Sequence, residues 1–155
     1  MSFGLMMALF GVAIAAGFAG VGSAMGVGIA GKAASGVLAE KPELYGRTLL
    51  LQALPGTQGI YGFLIAVLLL NKIGLLGGEA ATITATDGFA YLAAGLPIAI
   101  TGLMSGIYQG KAAAAAILMT AKDASLSTRG MIMTALVETY AILGLLVSIL
   151  VLFAI

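Results

Sequence analysis

"MIMTALVETYAILGLLVSILVLFAI", residues 131–155, carries a single charge, the carboxylate of Glu138. A bilayer core of about 30 Å needs about 20 apolar residues as helix, so this stretch is long enough to span it. Three other stretches have the same character: 3 to about 38, 48–76 and 89–120. With 61% hydrophobic and 8% charged residues, 23 glycines and a mean hydropathy of +1.16, the chain falls outside the range of soluble domains. The fold class is therefore an all-α membrane protein with four transmembrane helices.

The composition also excludes chemistries. There is no histidine and no cysteine, which removes the commonest catalytic base, thiol chemistry, disulfides and most transition-metal sites. The basic residues lie at the edges of spans, which leaves no surface for nucleic acid, and no nucleophile has a plausible base. The reading is not an enzyme. The first residues, "MSFGLMMALFGVAIAAGFAG", lack the basic leader of a cleaved signal and are expected to be retained as a span.

Connectors divide the spans into two hairpins. "AEKPELYGR" (39–47) and "AKDASLSTRG" (121–130) carry the stop and start signals of short helix-to-helix turns. Residues 1–78 are expected to form the first hairpin, 79–88 an extracytoplasmic connector, and 89–155 the second hairpin, which holds Glu138. Lys32, Lys41 and Arg47 flank the first turn, and Lys111, Lys122 and Arg129 flank the third. The positive-inside rule puts both turns in the cytoplasm, and the termini and 77–88 outside the cell membrane.

The halves resemble each other. "GKAA" recurs at 31–34 and 110–113, a shift of 79, whereas Arg47/Arg129, Thr57/Thr139 and Gly62/Gly144 give a shift of 82. A three-residue insertion in the third turn would reconcile the two, and duplication then places Gly56 where the second half has Glu138. Both hairpins keep one membrane orientation, unlike inverted transporter repeats.

"GVGIAG" (26–31) matches the dinucleotide fingerprint in letters only, because it lies within a helix-length apolar run and not between a strand and a helix. Its glycines are expected to serve helix packing. Gly22 and Gly26, and Gly102, Gly106 and Gly110, recur at the four-residue spacing that lets membrane helices approach closely. Spans one and three are thus expected to form the inner circle, and the bulkier spans two and four the outer circle, of a homo-oligomeric ring set in lipid.

An acid at membrane depth is expensive and functional by default. On the second span Leu54, Thr57, Gln58 and Tyr61 share one helix face beside Pro55, which frees a backbone carbonyl. The third span offers Gln109, with Ser105 one turn away. Glu138 and Thr57 stand nine and ten residues beyond Arg129 and Arg47, roughly 14–15 Å inward at 1.5 Å per residue, and Gln109 can reach a similar level. One carboxylate, two amides, a hydroxyl and a carbonyl form an oxygen shell of single negative charge, suited to a monovalent hard cation. Sodium fits this set; a proton needs only the carboxylate. Tyr61 is placed to hydrogen-bond Glu138 or to serve as a packing aromatic.

"LPGTQGIYGF" (54–63), "GIYQGKAAAA" (106–115) and "ALVETYAILGLL" (135–146) resemble the proteolipid, or K, subunits of bacterial V-type sodium ATPases, across all four spans. The resemblance implies a ring of duplicated hairpins, turned through a central stalk by a peripheral ATP-hydrolysing head, with ions exchanged at a membrane stator subunit. It implies sodium ligands at the Leu54 carbonyl, Thr57, Gln58, Gln109 and Glu138, with Tyr61 hydrogen-bonding the glutamate. One acid per four-span subunit implies fewer ions per turn, which favours pumping. The alternatives are a proton-carrying ring of the same type, a small proton-coupled secondary exporter, and a purely structural ring.

Overall fold

A computed structural model describes residues 1–77 and 82–155, so Glu79 in the connector lies outside the described residues. Its four rods are α1 (Phe3–Glu40); α2 (Tyr45–Ala53) continued through a 3-10 turn into α3 (Thr57–Lys72); α4 (Ala85–Lys122); and α5 (Ser127–Ala154). All four are long and apolar enough to cross a membrane. The 38-residue helices α1 and α4 reach roughly 57 Å, so they project well beyond a ~30 Å hydrocarbon core.

Caps set where the rods begin. Ser2 Oγ accepts from the Leu5 amide (3.2 Å), while Thr84 and Asp87 form a capping box. That box starts α4 at Ala85, so the last four residues of the expected 79–88 connector are helix. The signature Thr-x-x-Asp stands in the sequence but is obscured by its Gly- and Thr-rich surroundings. The first and third turns are tight as well. Each is one linking residue, Lys41 or Asp123, and a 3-10 turn, Pro42–Leu44 or Ala124–Leu126.

A single register of 82 relates the halves. Phe3 and Glu40 bound α1 as Ala85 and Lys122 bound α4, and the two turns are equal in length. The expected three-residue insertion is therefore absent. The "GKAA" match is a coincidence of Gly- and Ala-rich sequence, and Ser23 corresponds to Ser105 and Val27 to Gln109.

The two turns lie at one end of the molecule. Lys41 Nζ donates to the Ala121 carbonyl at the end of α4, and Arg47 Nη1 to the Ala124 carbonyl in the 3-10 turn that follows, tying the two turns together. Beside them, hydrogen bonds from Ser125, its side chain first and its amide second, hold the Asp123 carboxyl below the usual carboxylate range, with Arg129 and Arg47 adding to the effect.

α1 and α4 pack along their length through glycine. A Cβ on Gly22 would stand 2.6 Å from the Gly102 carbonyl oxygen, one on Gly106 2.7 Å from that of Gly22, and one on Gly102 2.8 Å from Ala19 Cβ; Gly26 meets Gly106 and Gly110 at similarly forbidden range. The contact continues through Gly4, Gly11, Gly88 and Gly95. These four recur at seven residues, two helical turns, and escape a search for four-residue spacing. Facing outward, α3 and α5 present Ile60, Phe63, Ile132, Met133, Leu136, Leu143, Leu150 and Phe153 as exposed apolar side chains, the surface expected toward lipid. Three apolar clusters fill the interior, one around Ala8, Ile73 and Ile83 at the far end, and two larger ones around Ile65, Leu69 and Ile98 and around Val37, Leu51 and Ile117. Between the two larger ones lies a polar layer.

Candidate ion-binding site

The polar layer forms where the second rod loses regular helix. Pro55 lacks the amide that would bond the Leu51 carbonyl, and the chain passes through a 3-10 turn, Leu54–Gly56, before α3 restarts. Pro55 is buried, and its ring fills the space beside Gly26. In the first turn of α3 the Gly59 amide donates to Ser23 Oγ on α1 (2.8 Å). The break thus has a fixed partner.

From there a continuous hydrogen-bond chain runs across three rods. Thr57 Oγ1 lies 3.1 Å from the Leu54 carbonyl oxygen, to which it donates, and 3.5 Å from Gln58 Oε1. Gln58 Nε2 donates to Ser105 Oγ (3.1 Å) and to Gln109 Oε1. Gln109 Nε2 donates to the Thr134 carbonyl (3.3 Å) and to Glu138 Oε2 (3.4 Å), and the Tyr61 hydroxyl donates to Glu138 Oε1. All six residues singled out from the sequence, Leu54, Thr57, Gln58, Tyr61, Gln109 and Glu138, are brought together.

Backbone carbonyls fix which way each amide points. The Thr134 carbonyl can only accept, so it must face the amino group of Gln109, and the oxygen of Gln109 is thereby turned to Gln58. Gln58 must then present its own amino group, a polarity reinforced by Ser105, whose hydroxyl is spent on the Val137 carbonyl (2.9 Å). The result is that Gln58 Oε1 faces Thr57, and Gln109 Oε1 keeps a lone pair. Every N–H of the two fully buried amides is consumed by the protein, leaving oxygens for a ligand. No buried side-chain polar atom among the described residues lacks a partner.

Sequence reasoning missed the anchors. The carbonyls of Thr134 and Val137 carry no side-chain signal, and Ser23 gives no sign until the register of 82 pairs it with Ser105. Thr134 does stand one turn before Glu138 on the same helix face, which is a legible hint.

Glu138 is partly buried, and both hydrogen bonds to it come from neutral groups. Among the described residues no group of three or more His, Cys, Asp or Glu is placed to hold a metal ion. A single carboxylate amid neutral oxygens suits a monovalent hard cation.

The fold is that of a duplicated two-hairpin protein whose four helical rods are long and apolar enough to cross a membrane, with a polar cluster around Glu138 as its candidate site. The chain belongs to the C-subunit family of ATP synthases, whose sequence profile matches it twice, over residues 10–69 and 92–151. Those two matches repeat the register of 82 seen in the helices. Among its relatives, "V-type sodium ATPase subunit K" of Enterococcus hirae is 48% identical over 94% of this chain and 89% of its own length. "A-type ATP synthase subunit K" of Methanocaldococcus jannaschii is 41% identical over 96% of this chain, which spans 62% of that protein. "V-type proton ATPase 16 kDa proteolipid subunit" of Chrysotila carterae is 31% identical over 89% of this chain and 84% of its own length.

Proposed function

We propose that this chain is the rotor-ring subunit of a V-type ATPase and that it carries sodium on Glu138. It is a non-catalytic proteolipid; ATP is hydrolysed by other subunits of the complex. The observation that carries the reading is the oriented network: the Thr134 carbonyl sets Gln109, Gln109 sets Gln58, and their oxygens are left to join the Leu54 carbonyl, Thr57 and Glu138 around an ion. A site meant for a proton alone has no need of this polar set. The 48% identity to a sodium ATPase subunit, against 31% to a proton ATPase subunit, supports the same choice.

The mechanism follows from desolvation. With sodium bound, Glu138 is neutralised and can face lipid as the ring turns. Emptied, it is charged and is stable only against a cation on a stator subunit or in an aqueous half-channel. Confining the charged state to that place turns rotation into transport. Tyr61 holds one carboxylate oxygen and Gln109 the other, so the acid keeps one rotamer between loading and release. Because Gly56 replaces the acid in the first half, each chain carries one ion. The basic residues around the two turns favour a cytoplasmic location for them in the cell membrane, with the termini and 77–88 outside. The turns are thereby available to a central stalk.

ATP-driven sodium uptake into vesicles bearing the whole complex tests the proposal. Uptake is expected to persist when a protonophore collapses the proton gradient. Uptake that needs no ATP and stops with the protonophore would identify a proton-coupled exporter instead.

A further inference from the structure

The first amides of a helix have no carbonyl one turn earlier to bond, and a Ser, Thr, Asp or Asn at the N-cap normally accepts from the second or third of them. The N-cap of α3 is Gly56, which has no side chain and makes no such bond. The third amide of the helix, that of Gly59, is held by Ser23 Oγ at 2.8 Å, and Ser23 belongs to α1. The missing cap is thus supplied by another rod. None of the six site residues named above lies on α1.

α1 is shaped to the break over more than this one bond. A Cβ on Gly26 would stand 2.7 Å from Pro55 Cβ, one on Gly56 3.8 Å from Val27 Cγ2, and one on Gly59 3.3 Å from Ser23 Oγ. Ser23, Gly26 and Val27 therefore meet Gly59, Pro55 and Gly56 in turn, and Ser23 is buried. The register of 82 shows what is particular to the first half. Ser105, the counterpart of Ser23, also bonds the backbone of the outer rod of its own hairpin, but it donates to the Val137 carbonyl (2.9 Å). Val137 is the counterpart of Pro55, and α5 runs unbroken through it, so the second half has no orphan amide to cap. There the place of Gly59 is taken by Ala141.

We propose that Ser23 is a positioning residue for the ion site, holding the break in the form that aims the Leu54 carbonyl, Thr57 and Gln58 at the ion; this rests on the sodium reading above. The Gly59 N–H shares a peptide plane with the Gln58 carbonyl, so fixing the one fixes the backbone that carries the Gln58 side chain. Without the hydroxyl, the partner that a regular helix would give the Gly59 amide is the Pro55 carbonyl, four residues back. Taking it draws the Leu54–Gly56 turn toward regular helix and turns the Leu54 carbonyl and Thr57 away. A proton needs only Glu138, which Ser23 does not touch. Ser23 therefore sets the affinity for sodium and leaves that for the proton alone.

Equilibrium binding of radioactive sodium at fixed pH to the detergent-solubilised oligomer tests this on the unsubstituted chain, Ser23→Ala and Ser148→Ala. Ser148 is the control, because its Oγ accepts the Ile98 amide just after Pro97 (3.2 Å), the same chemistry ten residues, roughly 15 Å, beyond Glu138 on α5. A cap hydroxyl is worth about fivefold in an equilibrium, so Ser23→Ala should weaken sodium binding by about that factor. Ser148→Ala should lower the thermal midpoint and leave sodium binding as it was. In sodium-free buffer, the pH dependence of Glu138 labelling by dicyclohexylcarbodiimide, which needs a protonated carboxyl, should be the same for Ser23→Ala and the unsubstituted chain.

Unchanged sodium binding in Ser23→Ala, an equal loss in Ser148→Ala, or a shifted pH dependence in Ser23→Ala overturns the assignment. Should Ser23→Ala fail to assemble, hydrogen exchange at the Gly59 amide of the unsubstituted oligomer decides, since coupling between two sites is reciprocal. Sodium should slow that exchange, and an equal rate with and without sodium overturns the assignment. An unsubstituted chain that binds no sodium overturns the sodium reading and the role of Ser23 with it.

Discussion

Glu138→Gln is expected to reduce ATP-driven sodium transport to background while leaving an assembled oligomer of unchanged native mass. The substitution keeps the shape of the side chain and an oxygen that can accept from the Tyr61 hydroxyl. What it removes is the only negative charge in the site. Breaking a buried ion pair by deleting one partner costs about 3–5 kcal/mol, which converts to a loss of sodium affinity of more than about 100-fold. The neutral side chain also removes the charged empty state on which directional release depends. Sodium uptake into vesicles, compared with native mass, measures both halves of the expectation. Full transport by the variant would reduce Glu138 to helix packing and the protein to a structural ring.

The second large effect lies at the α1–α4 contact. Gly106→Leu should prevent stable folding, because a Cβ there would stand 2.5 Å from the Gly22 carbonyl carbon and 2.9 Å from the Ser23 nitrogen. Both are backbone atoms, so no rotamer change can relieve the clash and the helices must separate. The cost should reach or pass the roughly 3 kcal/mol upper end of ordinary overpacking. Separation would also pull Ser23 from the Gly59 amide and shift Gln109, which lies three residues along α4. Gly36→Leu is the matched control, since a Cβ at Gly36 meets nothing within 4 Å. Thermal unfolding of the two variants in detergent should show a lowered midpoint for the first only; equal midpoints would mean that glycine contact does not hold these helices together.

Much of this molecule is legible in its sequence because membrane constraints are severe. An isolated acid in an apolar run, polar side chains at helical spacing on Leu54 to Tyr61, and Gln109 on the next span all point to a candidate site, since lipid tolerates such residues only for a purpose. The rods are equally plain, as are the close glycines at four-residue spacing. Register is the part that misleads. Identity in Gly- and Ala-rich helices is weakly informative, so "GKAA" suggests a shift of 79, whereas turn length and capping, set by Lys41, Asp123 and the 3-10 turns, hold the halves at 82. The start of α4 escapes for a related reason, because the Thr84–Asp87 capping box is a two-residue signal inside a loop-like composition. The orientation of the amides is not legible at all. It depends on the Thr134 and Val137 carbonyls, which every residue possesses and only packing can aim.

The central claim is that sodium binds at Glu138, and the most direct test is the rate at which dicyclohexylcarbodiimide labels that carboxyl as sodium is raised at fixed pH. The reagent attacks a protonated carboxyl in apolar surroundings, so an ion held by Glu138, Gln58, Gln109, Thr57 and the Leu54 carbonyl should protect it. Saturable protection by sodium is the predicted result. Labelling that follows pH and ignores sodium would contradict it, and would mean that the amides and hydroxyl around Glu138 serve packing in a ring that carries protons.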